Sequence, residues 1–491
     1  MRFLKTVVSA HRPAVSVASV SVLAGVSLCV LAPSATAAPC DYRVVPQEGE
    51  VIQSGLSSGS SSSGLLSSLF GHDSKNQGRH PGQIPVLKGH TQAVHLLTGP
   101  GSPQRTDRLF SVSGTDLGIA WTGPDGTYIA FGDTMSCLGE GDGWRSNVLM
   151  RTTDVDYSDS LRVEEAVTDA GWARRGWARE IISSLKTPGI EHTTIPTAGI
   201  YVNGKHYMDY MSVRKWGDPG FWSTNYAATV ESTDGVHWSL VPTSIRVNNG
   251  ALKLPQVGSL SAFRSGNQNL QMSAFVLHDG YVYRMSTQSG RDGSAVLARS
   301  PEASFPDENS FEFFTGSGWS DDPADASIVI DGHVSELSVA FHAGLNQWVA
   351  LYLDDKGMVM RTADSLEGPW SDKRMLVSRA TIPDIYGGFI LPNQRTNTLE
   401  WVATTWSAYN VMVMRTDLSQ VPGVTPRSPL ATRNSAVEDN LEVEKVIDFT
   451  PGAVAAVADS NNPVAPEGVE IVPAPPVERE EDALVMEKDY E

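Results

Sequence analysis

Three acids stand at the ends of apolar runs in a chain with few other reactive patterns. Asp116 lies in GTDLGIAW (114–121), Asp133 closes YIAFGD (128–133) and Glu336 opens SELSVAF (335–341). They lack metal-ligand spacing. Carboxylates that converge without a metal suit hydrolysis of a glycosidic bond. One protonates the leaving oxygen, and another attacks the anomeric carbon or activates a water. A third raises a neighbour's proton affinity by like-charge repulsion. Each acid also has a plainer reading: an Asx-turn before Leu117-Gly118, a strand-end turn at Asp133, and a buried ion pair at Glu336. Signatures of competing chemistries are weak: G-x-S-x-G occurs only as Gly55–Gly59 within a Ser/Gly-rich run, and there is no HExxH and no phosphate loop. No cofactor is expected.

Candidate sugar-handling groups surround these acids in sequence. They are Trp144, Arg145 and Asn147 after a Gly-rich loop, Thr194 in TTIPTAGIYV, and Asp209, Arg214 and Trp216 in a run alternating aromatic and basic residues. Tyr386 in YGGFI and Trp406 and Asn410 in TTWSAYN complete the set. Aromatic faces stack on sugar C–H surfaces, while Arg, Asn and Asp bind hydroxyls.

Short β-branched or aromatic runs broken by Gly, Asp and Asn turns carry these residues, which is an all-β pattern. His278-Asp279-Gly280 and Asp354–Gly357 read as hairpin turns. A strand-end motif recurs: Arg151, Glu231, Arg299, Arg361 and Arg415 each follow an apolar strand, at spacings of 54 to 80 residues. Five units of about one four-stranded sheet each predict a five-bladed β-propeller, with a β-sandwich as the alternative. The innermost strands are expected near 114–121, 193–202, 269–277, 335–341 and 386–392. Residues 232–238 (STDGVHW) resemble an Asp-box turn. The longest spacing contains residues 163–186, read as a helical insert in the first inter-blade connection.

The ends differ from this body. Arg2, Lys5 and Arg12, the apolar run 15–32 and Ala35-Thr36-Ala37 read as a secretory signal peptide over 1–38, with an uncut anchor as the alternative. Residues 39–87 form a Ser/Gly-rich linker, 88–425 the folded domain and 426–491 a disordered, acidic, Pro-rich tail. Residues 431–491 hold 15 Asp/Glu against 4 Lys/Arg, within a net charge of −19 for the 491-residue chain. Such acidity excludes a polyanionic partner, so no nucleic acid is expected. An alternative for 437–449 is a strand that closes the ring. Only 3 Cys are present, which excludes a disulfide-dense scaffold. After signal removal Cys40 and Cys137 remain and are expected to pair, with two free thiols as the alternative.

Taken together, GTDLGIAW, YIAFGDT, WRSNVL, TTIPTAGIYV, YMSVRKWGDPG, NYA, SELSV, YGGFI and AYNVMVMR resemble the domain of unknown function numbered 4185, over about residues 95–420. That resemblance implies a secreted endo-D-arabinanase with a five-bladed propeller. The family is found in actinobacteria whose envelopes contain arabinan, and its members cut the D-arabinan of arabinogalactan and lipoarabinomannan. It also implies that Asp116 and Asp133 are the catalytic pair and Glu336 the third acid. In one departure, Leu391-Pro392 follows YGGFI where the family often has His-Pro, so a different subsite is expected there. The expected partner is an arabinofuranose-containing polysaccharide. The mature chain is expected to be a monomer with no transmembrane segment, secreted or held at the cell envelope. A non-catalytic arabinan-binding propeller is the alternative.

Overall fold

The computed structural model describes residues 83–136, 143–154, 157, 161–252, 254, 262–392, 394, 397–406, 408–425 and 442–448. The signal peptide, most of the linker and both Cys40 and Cys137 lie outside the described residues.

Strands follow the apolar runs, and two-residue turns connect several of them. The innermost strands are β3 (Gly114–Gly123), β8 (Thr193–Val202), β13 (Met272–His278), β19 (Ser335–His342) and β23 (Ile385–Ile390). Each starts within a few residues of its expected position. Asn203-Gly204 and Asp279-Gly280 link β8 and β13 to their partners, and all four residues have positive φ (51°, 77°, 48° and 78°). These turns match the right-handed twist of the strands they join.

Each innermost strand leads an antiparallel meander. The first blade is β3 with β4 (Gly126–Met135), β5 (Val148–Thr152), β6 (Glu165–Thr168) and β7 (Gly171–Ala173). The second adds β9 (Lys205–Trp216), β10 (Trp222–Ser232), β11 (Ser239–Leu240) and β12 (Arg246–Val247) to β8. In the third, β13 is followed by β14 (Tyr281–Thr287), β15 (Ala295–Pro301), β16 (Glu312–Phe314), β17 (Trp319–Ser320) and β18 (Ile328–Ile330). The fourth is β19 with β20 (Gln347–Asp354), β21 (Gly357–Ala363) and β22 (Arg374–Ser378). The fifth is β23 with β24 (Thr398–Thr405), β25 (Val411–Asp417) and, from the other end of the domain, β2 (Thr91–Leu96). The innermost strands pack side by side in the cycle β3, β8, β13, β19, β23 and back to β3. This is a five-bladed β-propeller. Central strands such as β4, β20 and β24 are buried almost end to end. Blades cover both of their faces, so their sequences read as continuous apolar runs instead of alternating ones.

The recurring anchors all sit on the third strand of a blade, and four of the five pair with a charge on another strand. Arg151 binds Glu165 (2.7 Å), Glu231 binds Lys205 (3.0 Å), Arg299 binds Glu312 (3.1 Å), and Arg415 binds Glu400 (2.7 Å). Arg361 reaches the Tyr352 hydroxyl (3.0 Å) and Asp331 (3.2 Å). The repeat is therefore a set of staples across strands. The turn 232–238 closes as an Asp-box does: the Asp234 carboxylate accepts from the backbone N–H of Val236 and His237, both at 2.8 Å.

Two expectations are corrected. Residues 163–186 form no helix; they make β6 and β7 and then an extended segment. Gly171 (φ 87°) and Gly176 (φ 143°) break helical continuity, while Ala166 and Val167 are buried against the blade. Glu165 in this stretch pairs across strands with Arg151 of β5. The tail is not wholly outside the fold either. Residues Glu442–Asp448 form β26, antiparallel to β1 (Gln83–Lys88), with Gln83 opposite Asp448 and Lys88 opposite Glu442. Averaging over the acidic tail hides this short stretch rich in β-branched residues. It does not close the ring, because β2 on β25 does so. A chain starting at Gln83 is expected to keep its melting temperature. One starting at Gly99 lacks β2 and should lose its single cooperative melting transition by circular dichroism. Ending the chain at Thr425 is expected to lower the melting temperature relative to a chain ending at Thr450.

Candidate functional site

Four of the five innermost strands carry a β-bulge near their start. The register shifts around Asp116 and Gly118 in β3, Thr197 in β8, Glu336-Leu337 in β19 and Gly387-Gly388 in β23, while β13 runs without a shift. A bulge leaves a residue out of the ladder and re-aims its side chain. Glu336 itself has φ 49°, an uncommon conformation for a residue other than Gly, Asn or Asp. Such strain persists where surrounding structure imposes it, and it clusters at functional sites.

Asp116, at the β3 bulge, lies within reach of the charges of both Glu336 and Asp133, the latter near the end of β4. Asp116 and Asp133 are 9% and 3% exposed. The Tyr386 hydroxyl donates to Asp116 Oδ2 (3.1 Å), and buried Asp116 Oδ1 has no hydrogen-bond partner among the described residues. Asp133 Oδ1 accepts from both Trp144 Nε1 (2.8 Å) and Thr193 Oγ1 (2.7 Å). Glu336 Oε1 accepts from Arg291 Nη2 (2.6 Å) and Nε (3.2 Å). Close approach of β3 and β4 depends on Gly132. A Cβ there would lie 2.3 Å from Asp116 Oδ1.

Burial raises both aspartates, but unequally. Asp116 is pushed well above the ordinary carboxylate range, first by desolvation and then by the charges of Asp133 and Glu336, with Tyr386 and Arg291 opposing. Asp133 is raised by burial to about 6, with the Thr193 and Trp144 hydrogen bonds and the Lys186 charge opposing. Neighbouring carboxyls pushed apart in this way can divide proton donor and carboxylate roles between them.

Of the residues expected to bind sugar, the structure brings Trp144, Tyr386 and Trp406 to the acids. Trp144 stacks on His192 (centroids 5.1 Å apart) beneath the Lys186 ammonium (4.0 Å). Trp406 is 43% exposed and stacks on Tyr386 at 4.7 Å, 16° from parallel. Trp216 meets Trp222 edge to face at the base of the β9–β10 turn, and Arg214 donates to the Gly250 carbonyl (2.5 Å). The others serve the scaffold. Arg145 is buried and donates to the carbonyls of Ala178 and Ser111 (2.8 and 2.7 Å). Asn147 and Thr194 hold Ile182. Asp209 is fully buried against Arg246 (2.6 Å), and Asn410 accepts from Thr98 and donates to the Ser113 carbonyl. Polar residues in strand motifs read alike whether they face a ligand or satisfy buried backbone.

Sequence reasoning missed Arg291, Thr193, Lys186 and Tyr409. Tyr409 lies within TTWSAYN between Trp406 and Asn410, and burial and the adjacent Asp116 raise its hydroxyl far above the usual phenol range. Arg291 lies in QSGRDGS, which reads locally as an ordinary turn. Among the described residues no group of three or more His, Cys, Asp or Glu side chains is placed to hold a metal ion. Gly132→Ala is expected to displace the Asp116 carboxyl and destabilise the fold by about 1–3 kcal/mol, the usual range for overpacking. Thermal unfolding beside wild type measures this.

The family model for the Domain of unknown function (DUF4185) matches residues 101–415. The chain is 26% identical over 342 residues to Notoamide biosynthesis cluster protein J of Aspergillus sp. (strain MF297-2), an alignment that covers 65% of this chain and 86% of that protein. Among solved structures, the GH43_1 enzyme from Xanthomonas citri covers 70% of this chain and 97% of its own, at 12% identity and a TM-score of 0.38. The catalytic domain of the Coprinopsis cinerea GH62 alpha-L-arabinofuranosidase covers 67% and 97%, at 12% identity and 0.37. The curated relative is fungal and named for a biosynthetic cluster; it is not an actinobacterial endo-D-arabinanase. From Gly101 to Arg415, through all five blades and all three acids, the chain belongs to the DUF4185 family.

Proposed function

We propose that this protein is a secreted, endo-acting glycoside hydrolase that cleaves D-arabinan of cell-envelope arabinogalactan or lipoarabinomannan. The observation that carries this reading is the buried pair Asp116 and Asp133, unequal in proton affinity and joined by Glu336 from the opposite side of the ring. In this mechanism Asp116 retains the proton and gives it to the leaving oxygen. Asp133, ionised above about pH 6, attacks the anomeric carbon or activates a water. Trp144 and Thr193 orient Asp133, and the open face of Trp406 stacks a sugar ring beside Asp116. The substrate class follows the sequence resemblance to endo-D-arabinanases, and the leader-like 1–38 supports secretion.

Incubating the purified protein with arabinogalactan, followed by oligosaccharide analysis, tests the reading; intact polymer would overturn it. Asp116→Asn and Asp133→Asn are each expected to lower turnover at least 1,000-fold, an order of magnitude typical for loss of an essential acid or base. Near-wild-type cleavage by either folded variant would remove that residue from the mechanism. The kcat/KM profile should rise through about pH 6 as Asp133 ionises.

Stability should move the other way. A carboxyl with a raised native pKa binds more protons folded than unfolded, so stability falls as pH rises from about 4 through about 6. Asp133→Asn keeps one oxygen to accept from both Trp144 and Thr193, and it removes the buried charge. It is expected to be more stable than wild type at pH 8, by up to about 3 kcal/mol for a shift of about two pH units. The gain should vanish near pH 4, as thermal melts across that range would record.

A further inference from the structure

Arg291 occupies a junction of four blades. It lies in the β14–β15 connection of the third blade, and its backbone N–H donates to the Gly220 carbonyl in the β9–β10 turn of the second (2.8 Å). Its guanidinium carbon sits 5.8 Å from the Trp222 ring and 5.3 Å from the Tyr386 ring of the fifth blade. Its Nε and Nη2 both donate to Glu336 Oε1 of the fourth.

This arrangement leaves capacity on both partners. Both Arg291 N–H bonds go to one oxygen, and Nη1 has no partner among the described residues. Among the described residues Glu336 Oε2 accepts only a long contact from the Gly387 N–H (3.5 Å). The side chains are 16% and 9% exposed, so the pair is partly desolvated yet reachable. An ion pair needed only for stability gains most when its remaining donors and acceptors are also satisfied. Here one set of free donors and one free acceptor lie side by side, flanked by two aromatic rings. A hydroxyl both donates and accepts, so two neighbouring hydroxyls match this set: one accepts from Arg291 Nη1 and the other donates to Glu336 Oε2. The aromatic faces suit the C–H surface of the ring that bears them.

We propose that Arg291 and Glu336 form a clamp for two adjacent hydroxyls of a sugar ring, fixing that ring relative to Asp116 and Asp133. The proposal rests on the glycan-cleaving reading and refines it. Glu336 is then a group that binds substrate and not the proton donor, and the positive φ that re-aims it serves recognition.

The experiment uses the full chain in the Asp133→Asn background, with arabinan, xylan and galactan oligosaccharides as probes. The side-chain 15N resonance of Arg291, assigned through Arg291→Lys, should move on adding whichever glycan binds. Arg291→Met and Glu336→Gln should each weaken binding about 10- to 100-fold, the effect of losing a charge-assisted hydrogen bond. The double variant should lose little more. Removing either hydroxyl of the clamped pair from the glycan should weaken wild-type binding similarly. Arg291→Lys keeps the charge but not the fork, so it carries the comparison if Arg291→Met does not fold. With Asp133 restored, the Glu336→Gln loss should persist on nitrophenyl glycosides, which need no proton donor. Movement of the Arg291 resonance with xylan or galactan but not arabinan would uphold the clamp and overturn the arabinan assignment. The clamp is overturned by binding that leaves the Arg291 resonance still, by unchanged affinity in a folded Arg291→Met variant, by rescue of Glu336→Gln on nitrophenyl glycosides, or by failure of all three glycans to bind.

Discussion

The ring of blades is closed by one blade that draws strands from both ends of the domain, the join being β2 on β25. Thr91 pairs with Thr416 and Leu96 with Met412, and the two threonine hydroxyls meet in a buried hydrogen bond (2.9 Å). This pairing ties the fifth blade, which packs on the first at the axis, to the start of the domain. Asp116 and Glu336 are more than 200 residues apart, and only a closed cycle of innermost strands puts them beside the same pocket. The join extends to the site: Val411 at the start of β25 accepts from Leu97 (2.7 Å), and Thr115, next to Asp116, donates to the Tyr409 carbonyl (2.7 Å).

Within the closed ring, the axis is where the fold departs from regular β-structure. Bulges on four innermost strands, positive φ at Leu117 and Glu336, and two buried aspartates all work against stability. The rest of each blade compensates by ordinary means. Its middle strands are buried on both faces, and its third strand is fixed by a charged or polar pair to another strand. The same division separates the two kinds of buried ion pair. Asp209 with Arg246, and Arg246 and Arg284 with Glu308, form a network between the second and third blades. Arg291 with Glu336 leaves hydrogen-bonding groups free at the axis.

The 174–192 segment links these levels. It follows β7 as an extended chain held by Asn147, whose carbonyl oxygen accepts from Ile181 and Ile182 and whose amide donates back to the Ile182 carbonyl. It then carries Lys186 over Trp144 and His192 beneath it, and leads into Thr193. Burial lowers His192 to about 4, so the imidazole stays neutral beside the Lys186 ammonium. A stretch that looks like a helical insert on composition is thus the wall that seals one side of Asp133.

The strands and the five innermost positions are legible in the chain alone, and the three acids stand out there as candidates. These rest on local signals: β-branched runs, turn residues that tolerate positive φ, and a strand-end motif repeated by each blade. Tertiary structure decided which polar residues in those strands face the axis. Asn147, Asp209 and Asn410 look as functional as Asp133 in one dimension, yet they satisfy buried groups of their own surroundings. Arg291, in an unremarkable turn, becomes central because four blades meet there. The helical reading of 163–186 and the fully disordered tail failed because composition averages over windows. Two glycines at positive φ decide the first case, and pairing with a strand more than 350 residues away decides the second. The physical reason is the same throughout: periodicity and turn chemistry act between near neighbours in the chain, whereas burial, bulge direction and charge pairing depend on what the closed ring places opposite each residue.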